Sequence, residues 1–128
     1  MKSKLTICDE YRVWKNEKNE LHRDNGPAVE YNNGTKYWYK NGELHKLDGP
    51  AEEYNNGAKY WYKNGIRHKL DGPAIESSTG YKAWHMNGKI HRLDGPAIEW
   101  SNGTREYWIK GKEYTEEQYN NYIKRNIN

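Results

Sequence analysis

The 128 residues carry a formal charge of +3, and the 21 basic and 18 acidic side chains are intermixed, so neither a polyanion-binding block nor an acidic tail stands out. One cysteine, Cys8, excludes an internal disulfide, and no apolar run reaches the length of a membrane helix or a signal-peptide core. A mean hydropathy of −1.37 would suit a disordered chain, but six Trp and twelve Tyr with no Phe describe a chain that buries rings and keeps their polar tips bonded. These bounds predict one domain with an aromatic core, soluble and cytoplasmic, with no membrane insertion.

Leu5-Thr6-Ile7-Cys8 reads as an outer strand and Tyr11–Asn16 as a degenerate second strand, making residues 1–20 an N-terminal cap and half-repeat. Residues 21–113 then hold four copies of one 23-residue unit. Every glycine and proline lies on that grid: Gly26, Gly49, Gly72 and Gly95 are one series, and Pro27, Pro50, Pro73 and Pro96 follow them. A fixed period of this size marks a repeat array, in which each unit buries its apolar face by stacking on its neighbours.

Within a unit, Pro-Ala-x-Glu-x and Lys-Tyr-Trp-Tyr-Lys read as two strands of a β-hairpin. The loops between them are Asn32-Asn33-Gly34, Asn55-Asn56-Gly57, Ser78-Thr79-Gly80 and Ser101-Asn102-Gly103. A two-residue type I′ turn would force Thr79 to positive φ, whereas a three-residue loop with a left-handed glycine suits all four copies. That loop pairs Glu30 with Lys36, Glu53 with Lys59, Glu76 with Lys82 and Glu99 with Arg105, a row of opposite charges contributing roughly 0.2–1 kcal/mol per pair. The same register sets Ala28, Ala51, Ala74 and Ala97 opposite Trp38, Trp61, Trp84 and Tyr107.

The other face varies between copies, with Glu52, Ser77 and Glu106 breaking its pattern. Its candidates for partner or ligand contact are Tyr31, Tyr37, Tyr39, Tyr54, Tyr60, Tyr62, His85, Trp100 and Trp108. At the C-terminal end, residues 114–128, Thr115 reads as an N-cap, Gln118 completes a capping box, and Tyr114 with Tyr119 forms a hydrophobic staple. A helix of about 116–125 follows, with Tyr119, Tyr122 and Ile123 on one face, capping the sheet. The predicted fold is all-β: an elongated single antiparallel sheet of nine or ten short strands with a C-terminal capping helix.

The unit Trp38-Tyr39-Lys40-Asn41-Gly42-Glu43-Leu44-His45 resembles the membrane occupation and recognition nexus (MORN) repeat, and the likeness covers about three quarters of the chain. It departs from that pattern where Arg23, Lys46, Lys69 and Arg92 replace the glycine that usually follows the histidine, and where Leu-Asp-Gly-Pro-Ala follows in the later copies. It is similar to the His-Arg-x-Asp-Gly-Pro-Ala variant of such repeats, found in bacterial and viral proteins. The resemblance implies an elongated sheet that scaffolds proteins, often as a dimer, with a link to phospholipids and no catalytic residues.

His45 with Asp48, His68 with Asp71 and His91 with Asp94 have the composition of a general base and its partner. An active site is needed once, so a pair repeated in every copy reads as a corner held by side-chain hydrogen bonds. Equivalent histidines two strands apart lie roughly 9.5 Å from one another, too far to share a metal. Nucleic acid is disfavoured because the Glu row neutralises the basic row. A nucleotide or other small anion would instead use an aromatic groove with Arg23, Lys46, Lys69 and Arg92 at its rim. The reading is a non-enzymatic protein-interaction module without cofactor, metal or catalytic residues, and a homodimer because one aromatic face lacks cover. Small-ligand binding and an enzyme built on the His-Asp corners are its rivals. The richness in Lys, Asn, Tyr and Ile fits an AT-rich genome, such as a phage's, and an inhibitor or adaptor of a host protein.

Overall fold

The computed structural model describes residues 2–126. Its strands form one open antiparallel sheet of eleven, with a single C-terminal helix and no closed barrel. The described residues divide into two compact units, 2–66 and 67–126. Among the described residues no helix is long and apolar enough to cross a membrane.

The first unit contains β1 (Lys4–Ile7), β2 (Tyr11–Lys15), β3 (Val29–Tyr31), β4 (Lys36–Tyr37), β5 (Tyr39–Lys40), β6 (Glu43–Leu44), β7 (Glu52–Glu53), β8 (Lys59–Tyr60) and β9 (Tyr62–Lys63). Its part of the sheet runs β1-β2-β3-β4-β7-β8, while β5 and β6 form a separate two-stranded ribbon, as β9 does with β10 (Ile66–Arg67). The second unit holds β11 (Ile75–Glu76), β12 (Lys82–Ala83), β13 (His85–Met86), β14 (Lys89–Ile90), β15 (Ile98–Glu99), β16 (Arg105–Ile109), β17 (Lys112–Tyr114) and α1 (Glu116–Asn126). There the sheet runs β11-β12-β15-β16-β17, with β13 and β14 as the ribbon.

The predicted hairpin register is present in all four copies, Glu30–Lys36, Glu53–Lys59, Glu76–Lys82 and Glu99–Arg105. The reason is the loop chemistry: Gly80 sits at φ 102° while Thr79 keeps negative φ, so the β-branched residue avoids the left-handed region. The row also extends between hairpins, through Lys36–Glu53 and Lys82–Glu99.

Two expectations about these hairpins change. Lys-Tyr-Trp-Tyr-Lys is not one strand in the first three copies: pairing breaks at Trp38, Trp61 and Trp84, and the chain leaves the sheet to form the ribbon. The ribbon exists because Asn41-Gly42, with φ of 49° and 83°, makes a two-residue turn requiring positive φ at both positions, which Asn and Gly tolerate. This raises the strand count above the nine or ten expected.

The predicted opposition of Ala28 and Trp38 also gives way to a bulge. The Ala28, Ala51, Ala74 and Ala97 N–H groups donate at 2.8 Å to the carbonyls of Tyr37, Tyr60, Ala83 and Glu106. The carbonyls of Ala28, Ala51 and Ala97 accept from the N–H groups of Trp14, Trp38 and Trp84 at 2.7–2.8 Å. Each alanine follows a proline, which has no donor to continue the ladder, so the register slips there by one residue. All four alanines are fully buried, leaving no room for a larger side chain.

The helix begins as its sequence dictates. Thr115 Oγ1 accepts from the Gln118 N–H at 3.1 Å, and Gln118 Oε1 accepts from the Thr115 N–H at 3.0 Å. The staple differs: Tyr114 packs on Tyr122, and Tyr119 turns instead to Tyr107, with ring centroids 4.8 Å apart. The Tyr119 hydroxyl donates to the Arg92 carbonyl at 2.8 Å and accepts from the Gly95 N–H at 3.2 Å. Hydrogen bonds at this buried corner outcompete the local contact with Tyr114.

Candidate functional site

The histidine corners lock one repeat to the next. His22 Nδ1 accepts from the Asn41 N–H at 2.9 Å, His45 from Asn64 at 3.0 Å, His68 from Asn87 at 3.0 Å and His91 from Lys110 at 2.9 Å. Each donor is the first residue of a two-residue turn, that of a ribbon for the three asparagines and that between β16 and β17 for Lys110, where the local geometry leaves an N–H without a ladder partner. Accepting there places the ring proton on Nε2. Backbone bonds continue the lock, from Gly42 to Leu21, Gly65 to Leu44, Gly88 to Arg67 and Gly111 to Ile90, at 2.8–2.9 Å.

Among the described residues, a His–carboxylate contact occurs at His22 Nε2 and Asp24 Oδ1, 2.9 Å apart, and none joins His45 to Asp48, His68 to Asp71 or His91 to Asp94. Asp94 accepts from Arg92 Nε at 3.0 Å. The corners therefore lack the geometry of a repeated acid–base pair, and the histidine alone carries the structural bond expected of both residues.

The cation after each histidine is also engaged. Arg23 lies 3.8 Å from the centroid of the Trp14 ring, Lys46 3.8 Å from Trp38, and Arg92 3.9 Å from Trp84. Arg23 also reaches Glu30 and the Pro27 carbonyl, and Arg92 reaches Glu99 and the Pro96 carbonyl. A Cβ on Gly26 or Gly95 would stand 2.9 Å from the guanidinium carbon, so these glycines let the cation lie flat between backbone and indole. Of the four cations expected at the rim of an anion groove, Arg23, Lys46 and Arg92 each lie over a tryptophan.

Between successive corners the surface opens into grooves, one in each unit. The first, about 520 Å³, is lined by Arg23, Tyr39, His45, Lys46 and Leu47 among others. The second, about 710 Å³, is lined by Lys69, Leu70, Trp84, His85, Met86 and Leu93 among others. Leu47 is 82% exposed, Leu70 76% and Leu93 38%. In the sequence these leucines resemble core residues, and the signal that marks them is their recurrence every 23 residues beside a polar corner.

His85 differs from the residues at the equivalent position in the other copies, Tyr39, Tyr62 and Trp108. It is 7% exposed, and its Nδ1 has no hydrogen-bond partner among the described residues. Burial, helped by the Arg67 charge, holds its pKa below the ordinary histidine range, so the ring stays neutral. An orphaned acceptor of this kind costs roughly 1–3 kcal/mol.

The remaining candidates separate into two groups. Tyr11, Tyr31, Tyr37, Tyr54 and Tyr60 form a continuous ladder of rings, with centroids 5.6, 5.8, 5.7 and 5.6 Å apart in order. The Tyr54 hydroxyl donates to Glu52 at 2.9 Å, and burial together with this carboxylate raises its pKa strongly. In the second unit Trp100 and Trp108 donate their indole N–H groups to the two oxygens of Glu106, at 2.6 and 3.0 Å. Trp100 also packs edge-on against Tyr81, 4.8 Å away. Tyr62 is half-buried, and its carbonyl accepts from the Lys46 N–H at 3.4 Å. Comparison with protein-family models, curated proteins and solved structures finds no match.

Proposed function

We propose that this chain is a non-enzymatic protein-interaction module of the cytoplasm, MORN-like in its repeat, which binds a partner protein along the corner grooves. The observation that carries this reading is the recurrence of an exposed leucine, Leu47, Leu70 and Leu93, at the lip of grooves whose corner histidines, His45 and His91, are committed to backbone bonds. Exposed apolar side chains rimmed by polar groups mark contact sites, and a histidine that accepts a structural N–H has no free lone pair for proton transfer. A target within the host of a phage or small-genome bacterium fits the AT-rich composition, and binding there would inhibit or recruit that target.

Affinity capture from host lysate tests the reading with the intact chain and its Leu70→Asp/Leu93→Asp variant side by side. A protein retained by the former and lost by the latter supports it; equal retention, or none, removes the groove as the contact surface. A second reading, capture of a small molecule, rests on the unpartnered His85 Nδ1 in a groove of about 710 Å³, within the usual size of ligand pockets. Mass spectrometry of metabolites that co-purify with the intact chain, and are lost in His85→Phe, would favour it.

A further inference from the structure

Glu52 occupies a position that the other three copies give to an aliphatic side chain. Its counterparts Val29, Ile75 and Ile98 are only 5–7% exposed, so a half-buried carboxylate stands where the sheet otherwise buries hydrocarbon. Withdrawing a charge from water costs free energy unless it is paired, and departures of this kind concentrate at functional or strained sites. Glu52 lies in β7 directly between Tyr37 of β4 and Tyr60 of β8. Tyr54, two residues on and therefore on the same face, donates its hydroxyl to Oε2 at 2.9 Å. Burial, with the charge of Glu52 added to it, raises the pKa values of Tyr37, Tyr39 and Tyr54, as expected of rings gathered round one carboxylate.

What this group lacks is a cation. Lys36 and Lys59 pair with Glu30 and Glu53, and so project from the opposite face. No ion pair to Glu52 forms among the described residues. Its Oε1 accepts no hydrogen bond from them either, and it is not sealed from solvent, because the buried side-chain atom left unsatisfied among those residues is His85 Nδ1. Elsewhere the chain fills a ring and a carboxylate with its own guanidinium. Arg23 lies over Trp14 and reaches Glu30 at 3.4 Å, and Arg92 lies over Trp84 and reaches Glu99 at 3.2 Å. Glu106, on the corresponding face of the second unit, has both oxygens taken by indole N–H groups. Glu52 combines aromatic neighbours with a reachable oxygen and has neither kind of partner.

We infer that Glu52, flanked by Tyr37, Tyr54 and Tyr60, receives an arginine side chain of a partner protein, whose guanidinium lies against the rings and donates to Oε1. A guanidinium suits the place better than an ammonium, because its plane stacks on aromatic rings and its weaker hydration lowers the cost of leaving water. None of these four residues lines the corner grooves, so the contact stands or falls separately from the leucine lips. The probe is blocked arginine, N-acetyl-arginine amide, titrated at constant ionic strength into the isotope-labelled chain and followed by NMR, with N-acetyl-lysine amide in parallel. Blocked arginine should give saturable shifts of the Tyr37, Tyr54 and Tyr60 ring signals and of the Glu52 carboxyl carbon, and blocked lysine clearly smaller ones. Glu52→Gln, which keeps an acceptor for the Tyr54 hydroxyl, should abolish the ring shifts. A parent chain whose ring signals do not move overturns the inference, as do equal shifts with blocked lysine or shifts that persist in Glu52→Gln. If Glu52→Gln fails to fold, the parent's Glu52 carboxyl carbon decides: its staying still while the rings respond refutes the site.

Discussion

Residues 11–60 and residues 75–119 share a backbone frame but furnish it differently. The first segment lines one side with five tyrosines in ring contact. In the second, Ser77, Ala83 and Glu106 replace tyrosines, and the polar contacts concentrate on Glu106 with its two indole donors and on Tyr119 at the helix. The bulge, the histidine lock and the ribbon turn nevertheless recur in both. Backbone groups and a few corner side chains thus hold the frame, which leaves the variable side chains open to local specialisation.

The largest expected effect lies where the second unit depends on one ring. Tyr119 is 4% exposed and joins α1 to the Arg92–Gly95 corner. Tyr119→Ala should cost about 3–5 kcal/mol, read by urea denaturation. Tyr37→Ala, within a ladder of similar rings and half-exposed, should cost clearly less. Equal losses would show that the ladder has no redundancy.

Glu106→Leu comes next, at about 1–3 kcal/mol, because two indole donors lose a charged acceptor. Loss of near-ultraviolet dichroism should accompany it, and Glu52→Leu, which deprives one hydroxyl, should have the smaller effect in the same assay.

The two units should also differ in their response to pH. His85 and His91 have pKa values lowered, chiefly by burial, with the Arg67 and Lys110 charges adding to it respectively. The unfolded chain then binds more protons, so stability is present above about pH 6.5 and is lost as pH falls through that value. Tyr37, Tyr39 and Tyr54 in the first unit have pKa values raised, chiefly by burial. Their contribution is present below about pH 10 and is lost as pH rises above it. Tyr119 adds a similar alkaline loss to the second unit. Residue-resolved hydrogen exchange should show acid opening concentrated in 67–126, and His85→Phe should flatten it. Uniform opening would erase this distinction.

The smallest effect concerns a turn. Asn41, Asn64 and Asn87 occupy the positive-φ position of the ribbon turns, but Lys110 takes it in the last copy, at φ 52°. Lys110→Asn should stabilise by about 1 kcal/mol, since asparagine tolerates that conformation better. A neutral result in thermal unfolding would show that the lysine is compensated locally.

Much of the frame was legible because it rests on local rules. Thr79 beside Gly80 settled the hairpin loop and with it the Glu–basic row, and Thr115 with Gln118 placed the start of α1. The corner hydrogen bonds expected of the histidines are present at His22, His45, His68 and His91, whereas those expected of the aspartates are not seen at Asp48 or Asp71 among the described residues. The candidate site was less legible. Its leucines look like core residues in sequence, and the corner cations look available until the indoles beneath them are seen.

By itself, then, the order of residues determined the repeat period, the turn types, the hairpin register and the capping box, since each depends on neighbours a few residues apart. Tertiary structure alone decided that His22, His45, His68 and His91 accept from residues nineteen positions onward, and that Arg23, Lys46 and Arg92 lie on tryptophans. It also decided that Tyr119 abandons Tyr114 for Tyr107, and that Leu47, Leu70 and Leu93 face outward. These outcomes depend on which surfaces meet when one repeat stacks on another, a competition for burial and hydrogen bonds that no single unit contains.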